Sequence, residues 1–347
     1  MTMVPSVPLG RSGLKVSVLC LGCMNFGEST SEEDSLEILK QAHESGVKFW
    51  DTANVYGAGR SEEIIGKAFE KFGFRDEIVL ATKVNGAMGP GPNDRGLSRR
   101  HIKQAVEQSL RRLRTDYIDL YQMHRYDPTV PLDETLETLD TLVREGKIRY
   151  YGTSTFASWQ MADASWRAKW NHWVGPVCEQ APYNLLDRRI ENDRAGFLEQ
   201  EGWGLIVWSP LAGGQLTGKY GQVSPDSLPK GARMERNAMW RQRINRSAAD
   251  VSLTFVELAK EYGLSPSVAA VAWVRQRPIV TAPIIGPRTL AQFHDLLPAA
   301  TVELPQSLLD ALDKLVPPGT AVADFLNNAG WQIGHLPGLD NDKTGTA

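Results

Sequence analysis

The chain has 347 residues, of which 42% are hydrophobic and 23% are charged, so it is long enough to form a large core. Its net charge of −3, from 38 basic and 41 acidic residues, gives no field suited to nucleic acid or to an anionic membrane. We expect neither a signal peptide nor a membrane span, because the N-terminus lacks the charged and apolar segments of a leader and no apolar run reaches about 18 residues. The sequence therefore predicts a cytoplasmic globular protein.

Three cysteines are present, at Cys20, Cys23 and Cys178. The first two have the CxxC spacing of redox and zinc sites, but the sequence has no second CxxC and no histidine close to this one. We therefore predict reduced cysteines that act as small apolar residues, and no metal site.

In chain order, residues 7–9 and 16–19 flank a glycine-containing turn and predict a short N-terminal β-hairpin. Strand-length apolar runs then alternate with helical patterns. The run at 16–19 is counted as the first of eight predicted strands. The other seven lie at 47–50, 78–81, 117–123, 147–152, 176–179, 204–207 and 282–285. The predicted helices lie between Ser31 and Gly46 and at 61–69, 98–113, 132–143, 156–169 and 191–200.

Eight strands separated by helices predict an α/β fold with a parallel sheet. The count and the right-handed crossovers favour a closed (β/α)8 TIM barrel over an open doubly wound sheet, and the GxGxxG fingerprint of a dinucleotide fold is missing. Composition marks no linker, so we expect one domain over 1–347, with a barrel core at about 16–316 and a C-terminal tail at 317–347. Residues 211–248, rich in Gly, Arg and Pro, predict a long lid or binding loop.

Polar residues, one tryptophan and one glycine lie where the predicted strands end. They are Asp51, Lys83, His124, Ser154, Gln180, Trp208 and Gly286. Because the carboxyl ends of barrel strands meet on one face, we expect these residues to be neighbours.

Four residues in this set and beside it suit one kind of chemistry. An ammonium such as Lys83 stabilises a phenolate, which makes Tyr56 a usable proton donor, and Asp51 can supply the counter-charge that Lys83 needs. His124 can donate a hydrogen bond to a carbonyl oxygen. Together they suit protonation of an oxygen on which negative charge develops, as in carbonyl reduction.

The chain resembles the aldo-keto reductase family over nearly its whole length. The matching segments are 51–57, Ser61-Glu62 with Gly66, 81–83, 121–124, 152–154, Glu179-Gln180 with Tyr183-Asn184, 208–214, and 283–286 with Arg288 and Gln292. The resemblance implies a barrel that binds NADPH across its C-terminal face. It also implies a catalytic tetrad of Asp51, Tyr56, Lys83 and His124, with Tyr56 as general acid.

The same resemblance implies the cofactor contacts. Ser154 and Gln180 match residues that hold the nicotinamide carboxamide, and Trp208 matches the aromatic position on which the ring stacks. Lys219 and Arg233 are the expected phosphate contacts. The remaining expected contacts are Cys23, Met24, Asp51, Ser209, Pro210, Leu211, Gly213, Gly286, Arg288 at the adenosine 2′-phosphate, Gln292 and Asp295. The chain departs from the family pattern at Thr155 and Leu296, where members often have Asn.

Three functions remain open at this point. The first is reduction of an aldehyde or ketone by NADPH. The second is a regulatory nucleotide-binding module similar to potassium-channel β subunits, which carry Asn where this chain has His124. The third is reduction of a double bond or a keto-sugar, and enone reducers of the family replace the tetrad His with Glu.

A small-molecule carbonyl is the expected partner, and the sequence predicts no oligomeric state. The expected substrate contacts are Phe26, Arg125, Tyr126, Trp331 and His335. For Trp159, Trp166, Trp170 and Trp173 the sequence favours packing between helices over a place at the mouth of the barrel.

Overall fold

Eight parallel strands close into a barrel in the computed structural model, which describes residues 3–221, 241, 243 and 245–326. Two antiparallel strands, β1 (Ser6–Pro8) and β2 (Lys15–Ser17), precede it. The barrel strands are β3 (Cys20–Gly22), β4 (Phe49–Asp51), β5 (Val79–Val84), β6 (Ile118–Met123), β7 (Ile148–Ser154), β8 (Cys178–Pro182), β9 (Gly204–Trp208) and β10 (Val280–Ile285). Each strand pairs with the next, and β10 pairs with β3 to close the circle. The predicted hairpin and (β/α)8 TIM barrel are confirmed.

Helices cover the outside of the barrel. They are α1 (Glu32–Glu44), α2 (Arg60–Phe72), α3 (Arg99–Leu113), α4 (Leu132–Arg144), α5 (Ser158–Trp170), α6 (Arg194–Glu201), α7 (Arg246–Glu261), α8 (Pro266–Arg275), α9 (Leu290–Leu296) and α10 (Gln306–Leu315). The side chains of Ser31 and Ser98 cap α1 and α3 by accepting backbone N–H groups of their first turns, which fixes where these helices begin. Of the helices that the structure describes, none has the length and apolar character needed to cross a bilayer.

The boundaries differ from the predicted ones in two instructive places. Strand β5 continues to Val84, so Lys83 lies within the strand and the sheet fixes the direction of its side chain. The predicted loop 211–248 contains a short 3₁₀ helix at Ala212–Thr217 and gives way to α7 at Arg246, three residues sooner than expected, because Asn245 caps that helix. Most of the stretch between them lies outside the described residues.

One end of the barrel interior is filled by apolar side chains from the strands and from the hairpin. Leu9 and Val16 are buried in the same cluster as Phe49, Leu120 and Ile206. The hairpin therefore covers the amino-terminal end of the barrel, as far as possible from the carboxyl ends of the strands. That end remains available for chemistry.

The packing predicted for the tryptophans of α5 and the turn after it is wrong for three of the four. Trp159, Trp166 and Trp170 are exposed, and only Trp173 packs against the core. The helix buries Met161, Ala164 and Ala168 instead. Small side chains bring α5 close to the strands and leave the bulky tryptophans on its outer face.

Candidate active site

A polar layer lies directly above the apolar layer of the barrel. Side chains alternate along a strand, so the residue two positions after an inward-facing one also faces the interior. The residues two positions beyond Phe49, Ala81, Leu120, Cys178 and Ile206 are Asp51, Lys83, Gln122, Gln180 and Trp208. The sequence singled out all of these except Gln122, which stands before the strand end that His124 marks. Its position two residues after an apolar inward residue is the signal that identifies it.

Lys83 is the centre of this layer. Its ammonium Nζ donates to Asp51 Oδ1 at 2.6 Å, to the Thr52 carbonyl oxygen at 2.7 Å and to Tyr56 Oη at 3.3 Å. The side chain of Lys83 is 0% exposed, and Asp51 is 3% exposed. Burial alone lowers the pKa of Lys83, but the charge of Asp51 and the nearby Tyr56 raise that pKa above its ordinary value. Lys83 is therefore a fixed cation beside the Tyr56 hydroxyl.

Tyr56 stands in a tight turn between β4 and α2. Gly57, Ala58 and Gly59 all have positive φ, at 57°, 51° and 98°. The backbone N–H of Tyr56 donates to the Ala53 carbonyl oxygen at 3.1 Å. This compact reversal turns the phenol back over the strand ends and towards Lys83.

His124 follows β6 and faces Tyr56 edge-on, with ring centroids 5.8 Å apart. Its backbone N–H donates to the Val84 carbonyl oxygen at 2.9 Å, which ties the residue to the neighbouring strand. Burial, and then the cations Arg125 and Lys83, lower the pKa of His124 well below its usual value. The imidazole is therefore neutral at physiological pH, with one N–H to donate.

Two amide side chains complete the surroundings of Asp51. Gln180 Nε2 donates to Asp51 Oδ2 at 2.7 Å, and Gln122 Nε2 donates to the same oxygen at 3.1 Å. Gln180 Nε2 also donates to Gln122 Oε1 at 3.2 Å. Both carboxylate oxygens are thus used, one by Lys83 and one by the amides, which holds Asp51 in one orientation.

A cleft of about 550 Å³ opens above the polar layer. The predicted site residues that line it are Met24, Asp51, Tyr56, His124, Ser154, Gln180, Trp208, Ser209, Pro210, Leu211, Gly213, Lys219, Gly286, Arg288, Gln292 and Asp295. Lys83 lies beneath the cleft. Arg233 lies outside the described residues, as do Trp331 and His335.

Two predicted contacts lie in the protein interior instead. Cys23 is buried, its N–H donates to the Asp51 carbonyl oxygen at 2.8 Å, and burial raises the pKa of its thiol. Phe26 is buried in the core between the strands and the outer helices. The loop after β3 turns its polar side chain, Asn25, into the cleft, where Asn25 Nδ2 donates to the Gly286 carbonyl oxygen at 3.2 Å. Beyond Gly22 the segment has left the strand, so the burial of its side chains follows the turn of the loop.

Of the other expected substrate contacts, Arg125 lines the cleft and Tyr126 packs edge-on against Phe156 beside it. Burial lowers the pKa of Arg125 to about 10, so it remains a cation at the reacting end of the cleft. Sequence reasoning did not single out Gly214, Thr217 and Ser267, which also line the cleft. No cluster of three or more His, Cys, Asp or Glu within the described ranges is placed to hold a metal ion.

The model of the Aldo/keto reductase family matches residues 18–317. The chain belongs to this family. It is 43% identical over 318 residues to the uncharacterized oxidoreductase YrpG of Bacillus subtilis, which covers 89% of this chain and 95% of that protein. It is 37% identical over 314 residues to a probable voltage-gated potassium channel subunit beta of Arabidopsis thaliana, covering 88% and 94%. An aldo-keto reductase of Fusarium vanettenii is 36% identical over 339 residues, covering 89% and 90%.

Membership in the aldo/keto reductase family supports a carbonyl-reducing oxidoreductase, and members generally use NADPH or NADP⁺. The groups along the cleft fit that cofactor. The cleft is lined by the amide of Gln180, the hydroxyl of Ser154 and the indole of Trp208. The cations Lys219 and Arg288 line it as well. A glycine at position 286 leaves the wall open, since an added Cβ would have Asn25 Nδ2 as its nearest atom, at 3.7 Å.

The turn after β9 is shaped around Lys219. Ser209, Ala212, Gly213 and Gly214 have φ values of 58°, 49°, 65° and 96°. A Cβ on Gly214 would lie 2.5 Å from Lys219 Nζ, so a side chain there would displace this ammonium from its place across the turn. A cation over a glycine-rich turn suits a phosphate group.

Proposed function

We propose that this protein reduces an aldehyde or ketone to an alcohol with NADPH, and that Tyr56 supplies the proton. The observation that carries the proposal is the contact of Tyr56 Oη with Lys83 Nζ at 3.3 Å, with Lys83 held at 2.6 Å by Asp51, under a cleft that His124 also lines. A phenol donates a proton readily only where its phenolate is stabilised. A permanently charged lysine beside the phenol provides that stabilisation.

In this proposal His124 and Tyr56 both face the carbonyl oxygen of the substrate. His124 is neutral and donates a hydrogen bond, which orients the carbonyl and stabilises negative charge as it grows on oxygen. Tyr56 Oη then transfers its proton to that oxygen, and Lys83 stabilises the phenolate left behind. Asp51 keeps Lys83 in place and charged.

The nicotinamide cofactor supplies the hydride. Gln180 and Ser154 would hold its carboxamide, and because Gln180 Nε2 already donates to Asp51, its oxygen is the atom that remains for the carboxamide N–H. Trp208 would stack on the ring, Lys219 would contact the phosphates, and Arg288 would contact the 2′-phosphate. Arg233 stays a prediction outside the described residues.

A second candidate function is a regulatory nucleotide-binding subunit with little turnover. It is favoured by relatives in Arabidopsis thaliana and Oryza sativa, 37% and 36% identical, whose names describe probable voltage-gated potassium channel subunits beta. The presence of His124 with Asp51, Tyr56 and Lys83 favours the enzyme. Within the enzymatic proposal the substrate remains any small carbonyl compound, a keto-sugar included.

The test is to mix purified protein with NADPH and a panel of aldehydes, ketones and keto-sugars and to follow the nicotinamide absorbance band. Consumption of NADPH that depends on the carbonyl supports the reductase. A parallel titration of nucleotide against protein fluorescence measures binding independently of turnover. Tight NADPH binding without turnover on any member of the panel would favour the regulatory function.

A further inference from the structure

Helix α5 carries three exposed tryptophans on one line. Trp159, Trp166 and Trp170 are 62%, 63% and 71% exposed, and the rings of Trp166 and Trp170 are 6.0 Å apart. At about 100° per residue, positions seven and eleven residues apart fall within roughly 40° of each other around a helix. The exposed Ala162 lies between the first two. We call these four residues the tryptophan stripe.

The charged residues of α5 are paired within the chain. Arg167 donates to Asp163 at 2.7 Å and to Asp133 at 2.6 Å, and Lys169 donates to Glu201 at 2.6 Å. Each cation beside the stripe thus has a carboxylate partner. The stripe itself presents an uncharged, apolar surface with neutralised edges.

The exposed area of the stripe is large for a single helix face. A tryptophan can bury up to about 250 Å², so three that are nearly two-thirds exposed offer roughly 500 Å². A stable interface needs about 800 Å² from each partner, and its energy comes chiefly from a few central aromatic side chains. The stripe supplies more than half of the area that one partner contributes to a stable interface. It also supplies tryptophan, a residue type that dominates binding energy.

We propose that the tryptophan stripe is the centre of a homodimer interface, in which α5 of one copy crosses α5 of a second copy at Ala162. A two-fold axis at Ala162 brings Trp159 of one copy near Trp166 of the other, so a charged surface would repel its copy whereas an uncharged tryptophan surface stacks on it. Ala162 is the small residue that lets two helix backbones approach between the Trp159 and Trp166 rings. This proposal does not depend on the proposed function.

Sedimentation velocity of the purified full-length chain over a wide concentration range is the test. We expect a dimer for the wild type and a monomer for the double variant Trp159→Lys/Trp166→Lys, which places like charges on both sides of the crossing at Ala162. The matched control is Met3→Lys, since Met3 is 63% exposed and lies far along the chain from α5; it should remain dimeric. Circular dichroism checks that both variants are folded. A monomeric wild type, or a double variant that stays dimeric, would overturn the proposal.

A cross-link tests the arrangement of the two helices. The native cysteines are all buried, so a cysteine introduced at Ala162 is the reactive thiol of that variant. Ala162→Cys should give a disulfide-linked dimer on mild oxidation, because twin residues at a helix crossing come within disulfide range. Thr254→Cys, an exposed position on α7, should not. A dimer that fails to cross-link at Ala162 would contradict the crossing of α5 with its twin.

Discussion

Gln180 donates a hydrogen bond from Nε2 to Oδ2 of Asp51 at 2.7 Å. The other oxygen of Asp51 accepts from Lys83 Nζ, so this carboxylate links the proposed proton donor to the residue expected to hold the nicotinamide. A substitution at Lys83 or at Gln180 should therefore alter the hydrogen bond on the opposite side of Asp51. The proposed proton-donating and cofactor-holding halves of the site therefore form one hydrogen-bonded unit.

Gln122 should act as a positioning residue in that unit. Gln122→Met keeps the volume but removes the bonds to Asp51 and from Gln180, so we expect kcat to fall about tenfold and nucleotide affinity to weaken, with stability lowered by about 1–3 kcal/mol. Steady-state kinetics and nucleotide titration measure this. The matched control is Gln41→Met, on the outer surface of α1, which should change neither. Unchanged kcat in Gln122→Met would show that Asp51 is held without it.

Lys83→Met should leave Asp51 as a buried carboxylate without its cation. Removing one partner of a buried pair costs about 3–5 kcal/mol. The double variant Asp51→Asn/Lys83→Met removes both charges, and it should recover much of that loss in urea unfolding while remaining inactive. If the double variant is no more stable than the single one, the pair does not interact as its 2.6 Å distance indicates.

The eight-strand barrel and the grouping of Asp51, Tyr56, Lys83 and His124 could be predicted from the sequence, because strand periodicity and strand-end positions indicate both. Strand-end positions do not indicate Gln122, because it lies inside β6; its place two residues after the inward-facing Leu120 is the one signal for it. The burial of Cys23 and the exposure of Trp166 differ from expectation, because both depend on which elements pack against these residues in the folded chain. Periodicity specifies a face of a strand or helix, and it does not specify what lies opposite.

Stability should fall with rising pH through Glu179. Burial raises the pKa of this side chain from 4.5 to about 7, against the attraction of Arg194 and hydrogen bonds from Thr153 and the Phe156 N–H. Between pH 4.5 and about 7 the folded state therefore keeps a proton on Glu179 that the unfolded state has released. The stabilisation from this proton is complete below pH 4.5 and is lost as pH rises through 7, by up to about 3 kcal/mol.

Urea unfolding at several pH values, with Glu179→Gln alongside, measures that loss. The variant cannot titrate at this position, so its stability should fall less than that of the wild type across this range. Glu199→Gln, at an exposed position on α6, should follow the wild type. Parallel pH curves for the wild type and Glu179→Gln would contradict the assignment.

Arg288 and Lys219 should differ in the nucleotide that they recognise. Arg288→Ala should weaken NADPH about tenfold and leave NADH nearly unchanged, because only NADPH carries the 2′-phosphate. Lys219→Ala, which removes a proposed pyrophosphate contact, should weaken both nucleotides alike, and it serves as the comparison. Fluorescence titration gives the Kd of each variant for each nucleotide, to be divided by the Kd of the wild type. Equal losses for both nucleotides in Arg288→Ala would place its side chain away from the 2′-phosphate.

The variant Tyr56→Phe tests the proton-donating role that we propose for Tyr56. Phenylalanine keeps the ring that faces His124 and removes the hydroxyl 3.3 Å from Lys83 Nζ. The decisive measurement is kcat/KM for a carbonyl substrate together with the Kd for NADPH on the same folded preparation. We predict a loss of kcat/KM of about a thousandfold with the Kd unchanged. Turnover at the wild-type rate by Tyr56→Phe would show that Tyr56 is not the proton donor.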